Sequence, residues 1–294
     1  ENFSNRKSTM IPAAFEYYAP RSLDDAVKFL AAHKDEVKIL SGGQSLLPLM
    51  KMRLSKPEYV VDIGRIPGLD DITTQGSSII VGGMATHAQL EASDLLKKSC
   101  PLLPQTATSI ADVQVRNRGT LGGSIAHADP AGDMPAAILA LDAEIKAVGP
   151  KGERWIKAED FFLGLLMSVL EPDEIVTAVK VPVTTGEKTA YLKAAPRSSG
   201  FAVVGVAVRL SLDASGNVSR AAIGITGITD KAYRAARAEQ MLMGKKLDAG
   251  LMESAAAEAT RNVDVIEDIN GSVAYRTQLT HVYVARALEA AIQN

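Results

Sequence analysis

Two pairs of adjacent glycines, each followed by a hydroxyl side chain, are the residues of this sequence best suited to binding an anion. The first pair lies in Ser41-Gly42-Gly43-Gln44-Ser45, and the second lies in Gly119-Thr120-Leu121-Gly122-Gly123-Ser124. Because glycine has no Cβ atom, its backbone can approach phosphate oxygens closely and can adopt positive φ, so that successive N–H groups converge. We interpret the two pairs as a clamp that approaches one pyrophosphate group from two sides.

A single pair of glycines is more often a tight turn after a strand than a phosphate site, and we interpret Gly82-Gly83 as such a turn. The chain contains neither the P-loop pattern Gly-x-x-x-x-Gly-Lys-Ser/Thr nor the Rossmann pattern Gly-x-Gly-x-x-Gly. Residue types and spacing therefore indicate a dinucleotide-type ligand on a less common scaffold.

The elements that position the first pair form a predicted β-α-β unit over residues 10–65. Ser22 is a suitable N-cap, with Asp25 three residues later, for a helix whose apolar residues from Leu23 onward recur at helical spacing. A strand over 37–40 then leads into the first pair, and a second strand follows over 59–63.

Short helices and hairpins are predicted around the second pair. They are a hairpin over 71–82, a helix opened by a capping box at Thr86 and Gln89, a helix over 102–113, a helix over 136–141, a hairpin of 144–148 with 153–156, and a strand over 174–181. The charged segment from Arg116 to Gly119 is a predicted loop that leads into the second pair.

The composition changes at 182–188, which is polar and contains proline and glycine, and we predict a domain boundary there. Beyond it, the patterns predict strands over 189–194, 202–212 and 218–228 and helices over 235–243, 251–260 and 272–292. This is an α+β module in which helices cover an antiparallel sheet.

Composition excludes several classes of function. A net charge of −2, a pI near 6.2 and 5% aromatic residues argue against nucleic-acid binding. Cys100 is the single cysteine of the 294 residues, so this chain alone holds neither an internal disulfide nor an iron–sulfur cluster, and a reducing cytoplasm is the expected location. No apolar run approaches the roughly 18 residues that span a bilayer. We interpret residues 1–9 as a flexible leader, with Met10 as an alternative start.

Three motifs, taken together, resemble the FAD-binding medium subunit of molybdenum hydroxylases, the xanthine dehydrogenase and aerobic carbon monoxide dehydrogenase family. They are Ser-Gly-Gly-Gln-Ser-Leu-Leu-Pro at 41–48, Arg-Asn-Arg-Gly-Thr-Leu-Gly-Gly-Ser at 116–124 and Asp-Pro-Ala-Gly-Asp-Met-Pro-Ala at 129–136. The resemblance extends from Met10 to the C-terminus. It implies an α+β fold with a two-subdomain FAD-binding domain of the vanillyl-alcohol-oxidase (PCMH) type over 10–183, divided at about 10–65 and 66–183. A C-terminal domain of the carbon monoxide dehydrogenase flavoprotein type, an antiparallel sheet with helices, follows over 184–294.

The resemblance also implies the residues that bind FAD, and it assigns none as catalytic. Two segments would wrap the pyrophosphate with its neighbouring ribose and ribityl groups, Asp133 would accept a hydrogen bond from a sugar or ribityl hydroxyl, Ile110 would line the adenine side, and Val176 and Lys193 would contact the flavin end. Phe201, near the Ser199-Gly200-Phe201 position, would lie against the isoalloxazine. The two wrapping segments are Lys38, Ile39, Leu40, Ser41, Gly42, Gly43, Gln44 and Ser45, and Thr120, Leu121, Gly122, Gly123 and Ser124.

Three positions depart from the family pattern. Gln44 stands where many relatives have histidine and cannot form a covalent tether, so we expect non-covalent FAD. Ser124 replaces a common asparagine, and Phe201 replaces a usual tyrosine, which keeps stacking and loses a hydroxyl contact. We expect Gly43→Val or Gly122→Val to abolish FAD binding with limited loss of fold, because each new Cβ would enter the space of the diphosphate.

The expected function is that of an electron-transfer flavoprotein subunit of a molybdenum-containing oxidoreductase. A small partner subunit would carry two [2Fe-2S] clusters, a large partner would hold the molybdenum cofactor, and the chain alone would not turn over substrate. The assembly would be a dimer of heterotrimers. One alternative is a self-contained FAD-dependent oxidase or reductase, and another is a nucleotide-binding scaffold without redox function.

The remaining candidate residues predict little chemistry. The residues His127, Asp129 and Asp133 match no standard set of metal ligands, so no metal site is expected. The histidines at positions 33, 87 and 281 are isolated, and surface or capping roles are expected for them. Cys100 is expected to be an inert, packed thiol.

Overall fold

The computed structural model describes residues 10–196 and 200–294. The predicted leader, residues 1–9, and Ser199 of the predicted flavin contact lie outside the described residues. Three sheets with their helices follow one another along the chain, together with a short two-stranded hairpin. The predicted α+β fold is confirmed.

The N-terminal region is a parallel sheet of order β1-β3-β2 with one helix packed against it. Ser22 caps that helix, because its Oγ accepts a hydrogen bond of 3.1 Å from the backbone N–H of Asp25. The predicted β-α-β unit is confirmed, and the structure adds an edge strand and a short helix after the first glycine pair. The elements are β1 (Glu16–Tyr18), α1 (Leu23–His33), β2 (Val37–Leu40), α2 (Leu46–Lys51) and β3 (Tyr59–Asp62).

The central region is an antiparallel sheet of order β4-β5-β10-β6-β7 that packs against a layer of short helices. The elements are β4 (Ile72–Gln75), β5 (Ser78–Gly82), α3 (His87–Ala92), α4 (Asp94–Ser99), α5 (Leu102–Thr108), α6 (Val113–Arg116), α7 (Leu121–His127), α8 (Asp133–Ala140), β6 (Glu144–Gly149), β7 (Gly152–Lys157), α9 (Ala158–Phe161), β8 (Phe162–Gly164), β9 (Met167–Ser168) and β10 (Ile175–Pro182).

The predicted helix over 102–113 is wrong in length. Helix α5 ends at Thr108, and Ala111 adopts a positive φ of 38° that a continuing helix does not allow. Asp112 then caps the separate helix α6 through a hydrogen bond of 2.9 Å from the N–H of Val115. The loop predicted from Arg116 to Gly119 is shorter than expected, because Arg116 is the last residue of α6, and the second glycine pair lies in the first turn of α7.

The C-terminal region is an antiparallel sheet of order β11-β12-β13-β14. Alternate residues of β12 point to opposite layers: Val206 and Val208 belong to the core with the C-terminal helices, and Ala207 belongs to the core with α8. The sheet therefore joins the central region to its own helices. The elements are β11 (Lys188–Ala194), β12 (Val204–Leu212), β13 (Val218–Thr226), β14 (Tyr233–Arg234), α10 (Ala236–Leu242), α11 (Ala249–Glu258) and α12 (Val273–Gln293).

The hydropathy of the helices bears on membrane insertion. Within the described residues, no helix combines the length and the hydropathy that crossing a bilayer requires.

Candidate functional site

A cavity of about 560 Å³ opens where the three regions meet, which is within the usual size range of small-molecule sites. Its wall combines the turn after β2, the segment from α5 to α8, the start of β10 and Phe201. The predicted site residues line it with three exceptions. Leu40 and Leu121 do not reach it, and Lys193 contacts a lining residue, Asp133, from behind.

The first glycine pair presents unpaired backbone donors to this cavity. Among the described residues, no hydrogen-bond acceptor is found for the backbone N–H groups of Gly42, Gly43, Gln44 and Ser45, which line the cavity. Gly43 has a φ of 76°, so the turn brings successive N–H groups toward one point. Since backbone donors in folded proteins nearly always have a partner, four consecutive unpaired donors indicate an anion site.

The second glycine pair differs, because its donors are already used. The N–H of Gly122 donates to the carbonyl oxygen of Gly83 at 2.8 Å, and the N–H of Gly123 donates to Oγ1 of Thr120 at 3.1 Å. A Cβ on Gly122 would lie 2.7 Å from that same carbonyl oxygen. The expectation that Gly122→Val would abolish FAD binding with limited loss of fold is therefore wrong. The new side chain would collide with the protein backbone, so loss of fold is expected.

The surroundings of Gly43 also differ from the expectation that a Cβ there would enter the space of the diphosphate. A Cβ there would lie 3.0 Å from Cδ1 of Leu47 and 3.1 Å from Cδ1 of Leu40, both of which are side-chain atoms. The glycine is required by its positive φ more than by the space in front of it.

Hydroxyl groups join the turn after β2 to the start of α7. The Oγ of Ser41 lies 2.7 Å from Oγ1 of Thr120 and donates to the sulfur of Met84 at 2.9 Å. A Cβ on Gly42 would overlap the carbonyl oxygen of Arg118, so the loops also touch backbone to backbone. These contacts fix the turn after β2 against the start of α7.

Asp133, the first residue of α8, lies at the centre of a buried polar cluster. Its carboxylate accepts hydrogen bonds from the hydroxyl of Tyr191 at 2.5 Å and from Nζ of Lys193 at 3.0 Å. Lys193 also donates to the carbonyl oxygen of Gly200 at 2.7 Å. Burial raises the pKa of Asp133, and the nearby Lys193 charge and the Tyr191 hydroxyl oppose that shift. The cluster connects the cavity to β11 and to the chain next to Phe201.

Part of the cavity wall is apolar and exposed. Phe201 and Leu166 both line it, with 54% and 50% of their surface exposed, and Val176 adds a buried aliphatic wall. Exposed aromatic and aliphatic side chains around an opening suit a flat apolar ring that is partly accessible from outside.

Sequence reasoning missed Gly83 and His87, which both line the cavity. Gly83 was interpreted as a plain turn, yet a Cβ there would overlap the backbone of Val176. The expectation of a surface or capping role for His87 is wrong, because the side chain is buried with 4% exposure. Thr86 supplies the predicted capping box with Gln89.

The other isolated residues lie apart from the cavity. His33 packs against Phe29 and Tyr59, with ring centroids 4.3 and 4.1 Å away, and His281 forms a hydrogen bond of 2.7 Å with Thr260. Burial raises the pKa of Cys100 to about 12, which confirms an inert thiol. Within residues 10–196 and 200–294, no group of three or more histidine, cysteine or acidic side chains could hold a metal ion.

Comparison with known protein families gives two matches. Residues 13–184 match the family described as the FAD binding domain in molybdopterin dehydrogenase. Residues 189–291 match the family described as the CO dehydrogenase flavoprotein C-terminal domain.

Individual relatives are similar over nearly the whole chain. The carbon monoxide dehydrogenase medium chain of Hydrogenophaga pseudoflava is 39% identical over 96% of this chain and 98% of its own length. The 6-hydroxypseudooxynicotine dehydrogenase complex subunit alpha of Paenarthrobacter nicotinovorans is 37% identical over 96% of both chains. Among solved structures, carbon monoxide dehydrogenase from Hydrogenophaga pseudoflava, which lacks the Mo-pyranopterin moiety, superposes with a TM-score of 0.94 at 40% identity, covering 97% of this chain and 99% of that chain.

Proposed function

The chain belongs to the FAD-binding medium subunits of molybdenum hydroxylases, and from this we propose that it passes electrons through FAD from a partner subunit to an external acceptor. The donors would be [2Fe-2S] clusters in a small subunit, and substrate hydroxylation would occur at a molybdenum cofactor in a large subunit. The chain alone would be inactive on substrate.

The observation that supports this proposal best is the row of four unpaired N–H groups from Gly42 to Ser45 at the wall of the cavity. A pyrophosphate carries the charge and the number of oxygen acceptors that such a row can satisfy. The cavity wall also contains the apolar side chains of Ile110, Val176 and Phe201. Apolar side chains beside an anion site suit the ring systems of FAD.

Each group of residues has a task in this proposal. FAD, when bound, supplies the redox chemistry, and the protein supplies position and electrostatics. The turn after β2 would bind the pyrophosphate through its backbone donors, with Ser41 and Thr120 fixing its geometry. Asp133, held by Tyr191 and Lys193, would accept a hydrogen bond from a sugar or ribityl hydroxyl. Val176 and Phe201 would pack against the flavin and exclude water from part of its surface.

Several finer statements belong to the same proposal. Residues 10–183 would form the FAD-binding domain and residues 184–294 a separate C-terminal domain. The assembly would be a dimer of heterotrimers in the cytoplasm. Gln44 has no nucleophilic atom suited to a flavin tether, so FAD would be bound without a covalent bond.

Titration of the purified chain with FAD tests the cofactor assignment. We expect flavin fluorescence to be quenched to saturation at one FAD per chain. A matched pair of variants tests the location: Ser45→Ala keeps the backbone N–H of the turn, whereas Ser45→Pro removes it. We expect the proline variant to bind FAD more weakly than the alanine variant at equal thermal stability. No binding of FAD by the wild-type chain would refute the proposed function.

Isolation of the tagged chain from its own cells tests the subunit role. We expect an iron–sulfur chain and a molybdenum-containing chain to copurify, and the complex to reduce an artificial acceptor that the isolated chain with FAD does not reduce. Full substrate turnover by the isolated chain would instead support a self-contained oxidase or reductase.

A further inference from the structure

His87 is a buried polar side chain at the cavity that none of the contacts described so far explains. Its imidazole lines the cavity and is 4% exposed. Among the described residues, its Nδ1 is the one buried side-chain nitrogen or oxygen without a hydrogen-bond partner. No hydrogen bond to Nε2 is found among the described residues either, and Nε2 is not enclosed, so this nitrogen is available to a ligand in the cavity.

The backbone around His87 fixes the ring in place. The N–H of His87 donates to the carbonyl oxygen of Gly119 at 2.9 Å, and Thr86 caps the helix that begins at His87. A Cβ on Gly119 would lie 2.9 Å from Cδ2 and 3.2 Å from Nε2 of the ring. Glycine at 119 thus leaves room for the imidazole directly beside Thr120 of the anion site.

The ring is neutral near pH 7. Burial, and after it the charge of Arg116, lowers the pKa of His87 to about 4. A neutral imidazole carries one N–H and one bare nitrogen. If the proton were on Nδ1, a buried N–H would have no acceptor. The favoured tautomer therefore carries the proton on Nε2, the nitrogen that is not enclosed.

The neighbours of His87 indicate which half of a dinucleotide would meet it. Arg116 is held by Glu91 at 2.8 Å and donates to the carbonyl oxygen of Ile110 at 3.0 Å. Ile110 and Val115 add apolar side chains to the cavity wall on the same segment as Arg116. An apolar slot with one N–H donor suits adenine and its ribose, which present ring-nitrogen and oxygen acceptors.

We propose that His87 is a further cofactor-binding residue, whose Nε2–H donates a hydrogen bond to the adenosine half of FAD. This rests on the proposed FAD-binding function. It adds a side-chain donor on the adenosine side of the site, and it favours FAD over FMN, which lacks the adenosine.

Two substitutions separate the hydrogen bond from the packing. His87→Leu fills a similar volume without a donor, and His87→Gln places a neutral amide near the position of Nε2. The affinity for FAD is measured by flavin fluorescence, and ADP and FMN are measured as competitors. We expect His87→Leu to weaken FAD and ADP about tenfold, equivalent to about 1.4 kcal/mol, and to leave FMN unchanged. We expect His87→Gln to recover part of the loss.

The thermal stability of the leucine variant separates a contact with the cofactor from a purely structural role of His87. The leucine variant removes the unpaired Nδ1, so its thermal stability without FAD should equal or exceed that of the wild type. Unchanged FAD affinity in this variant, or equal weakening of ADP and FMN, would overturn the inference while wild-type FAD binding keeps the proposed function intact. If the leucine variant does not fold, His87→Asn replaces it: the amide of asparagine reaches only the Nδ1 position, so glutamine must bind FAD more tightly than asparagine.

Discussion

Replacing His87 with glutamine is expected to remove a defined part of the protein's sensitivity to acid. The pKa of His87 is lowered from 6.5 to about 4, mainly by burial. The unfolded chain therefore binds a proton below pH 6.5 that the folded chain accepts only near pH 4. The stability that comes from the neutral ring is complete above pH 6.5, decreases as pH falls, and is lost below about pH 4.

The size of this effect follows from the two pKa values. Each unit of difference between the pKa of the unfolded chain and that of the folded chain corresponds to about 1.36 kcal/mol. The complete loss is then about 3 kcal/mol, and the loss between about pH 7.5 and about pH 5 is about 2 kcal/mol. Glutamine at this position does not titrate, so the variant lacks this contribution.

Urea unfolding of both proteins without FAD, at about pH 7.5 and about pH 5, provides the measurement. The decrease in the free energy of unfolding between the two pH values should be about 2 kcal/mol larger for the wild type. The other titrating groups are common to both proteins, so their contributions cancel in this comparison. Equal decreases would mean that His87 titrates normally in the folded protein, and the argument for a buried neutral imidazole would be refuted.

Three further outcomes follow from the site. Gly122→Ala should lower the free energy of unfolding by about 2 kcal/mol or more, because its Cβ would lie 2.7 Å from a carbonyl oxygen. Gly43→Ala should lower it by about 1–2 kcal/mol, because alanine is unfavourable at the positive φ of this position. Urea unfolding measures both changes. Lys193→Met should lower the free energy of unfolding by about 3–5 kcal/mol, since the buried carboxylate of Asp133 loses its positively charged partner and keeps only the Tyr191 hydroxyl. Adding Asp133→Asn should recover part of that loss in a double-mutant cycle. Acid precipitation of the FAD-loaded protein should release all flavin into the supernatant, because Gln44 forms no covalent tether; flavin in the pellet would contradict this.

Local sequence signals predicted the elements that carry the site. The cap at Ser22, the capping box at Thr86 and the turn after β2 depend on residues within a few positions of one another, and each appears in the structure. The motifs at 41–48 and 116–124 also identified about a third of the residues that line the cavity, among them those of the proposed anion site. Such features are predictable because their physical causes are local.

Contacts between distant segments were not predictable in the same way. Gly83 looks like an ordinary turn until β10 and α7 are placed against it, and only then does its lack of a side chain become necessary. His87 looks isolated because Gly119, which packs against its ring, and Arg116, whose charge adds to the effect of burial on its pKa, are far away in sequence although they are close in space. The break at Ala111 was missed because helix propensity carries no signal for a single residue of positive φ.

The same distant contacts imply that FAD binding and folding are coupled. The Ser41–Thr120 and Asp133–Lys193 hydrogen bonds join segments 79 and 60 residues apart, so the complete cavity exists only when all three regions are in place. A ligand that binds only this state raises the free energy of unfolding with the logarithm of its concentration. A variant that loosens the cavity should therefore show a smaller rise in melting temperature with added FAD than the wild type, whereas a variant that weakens a region away from the cavity should start lower and rise equally. Comparing the two responses distinguishes loss of a cofactor contact from loss of fold, which a single melting temperature cannot do.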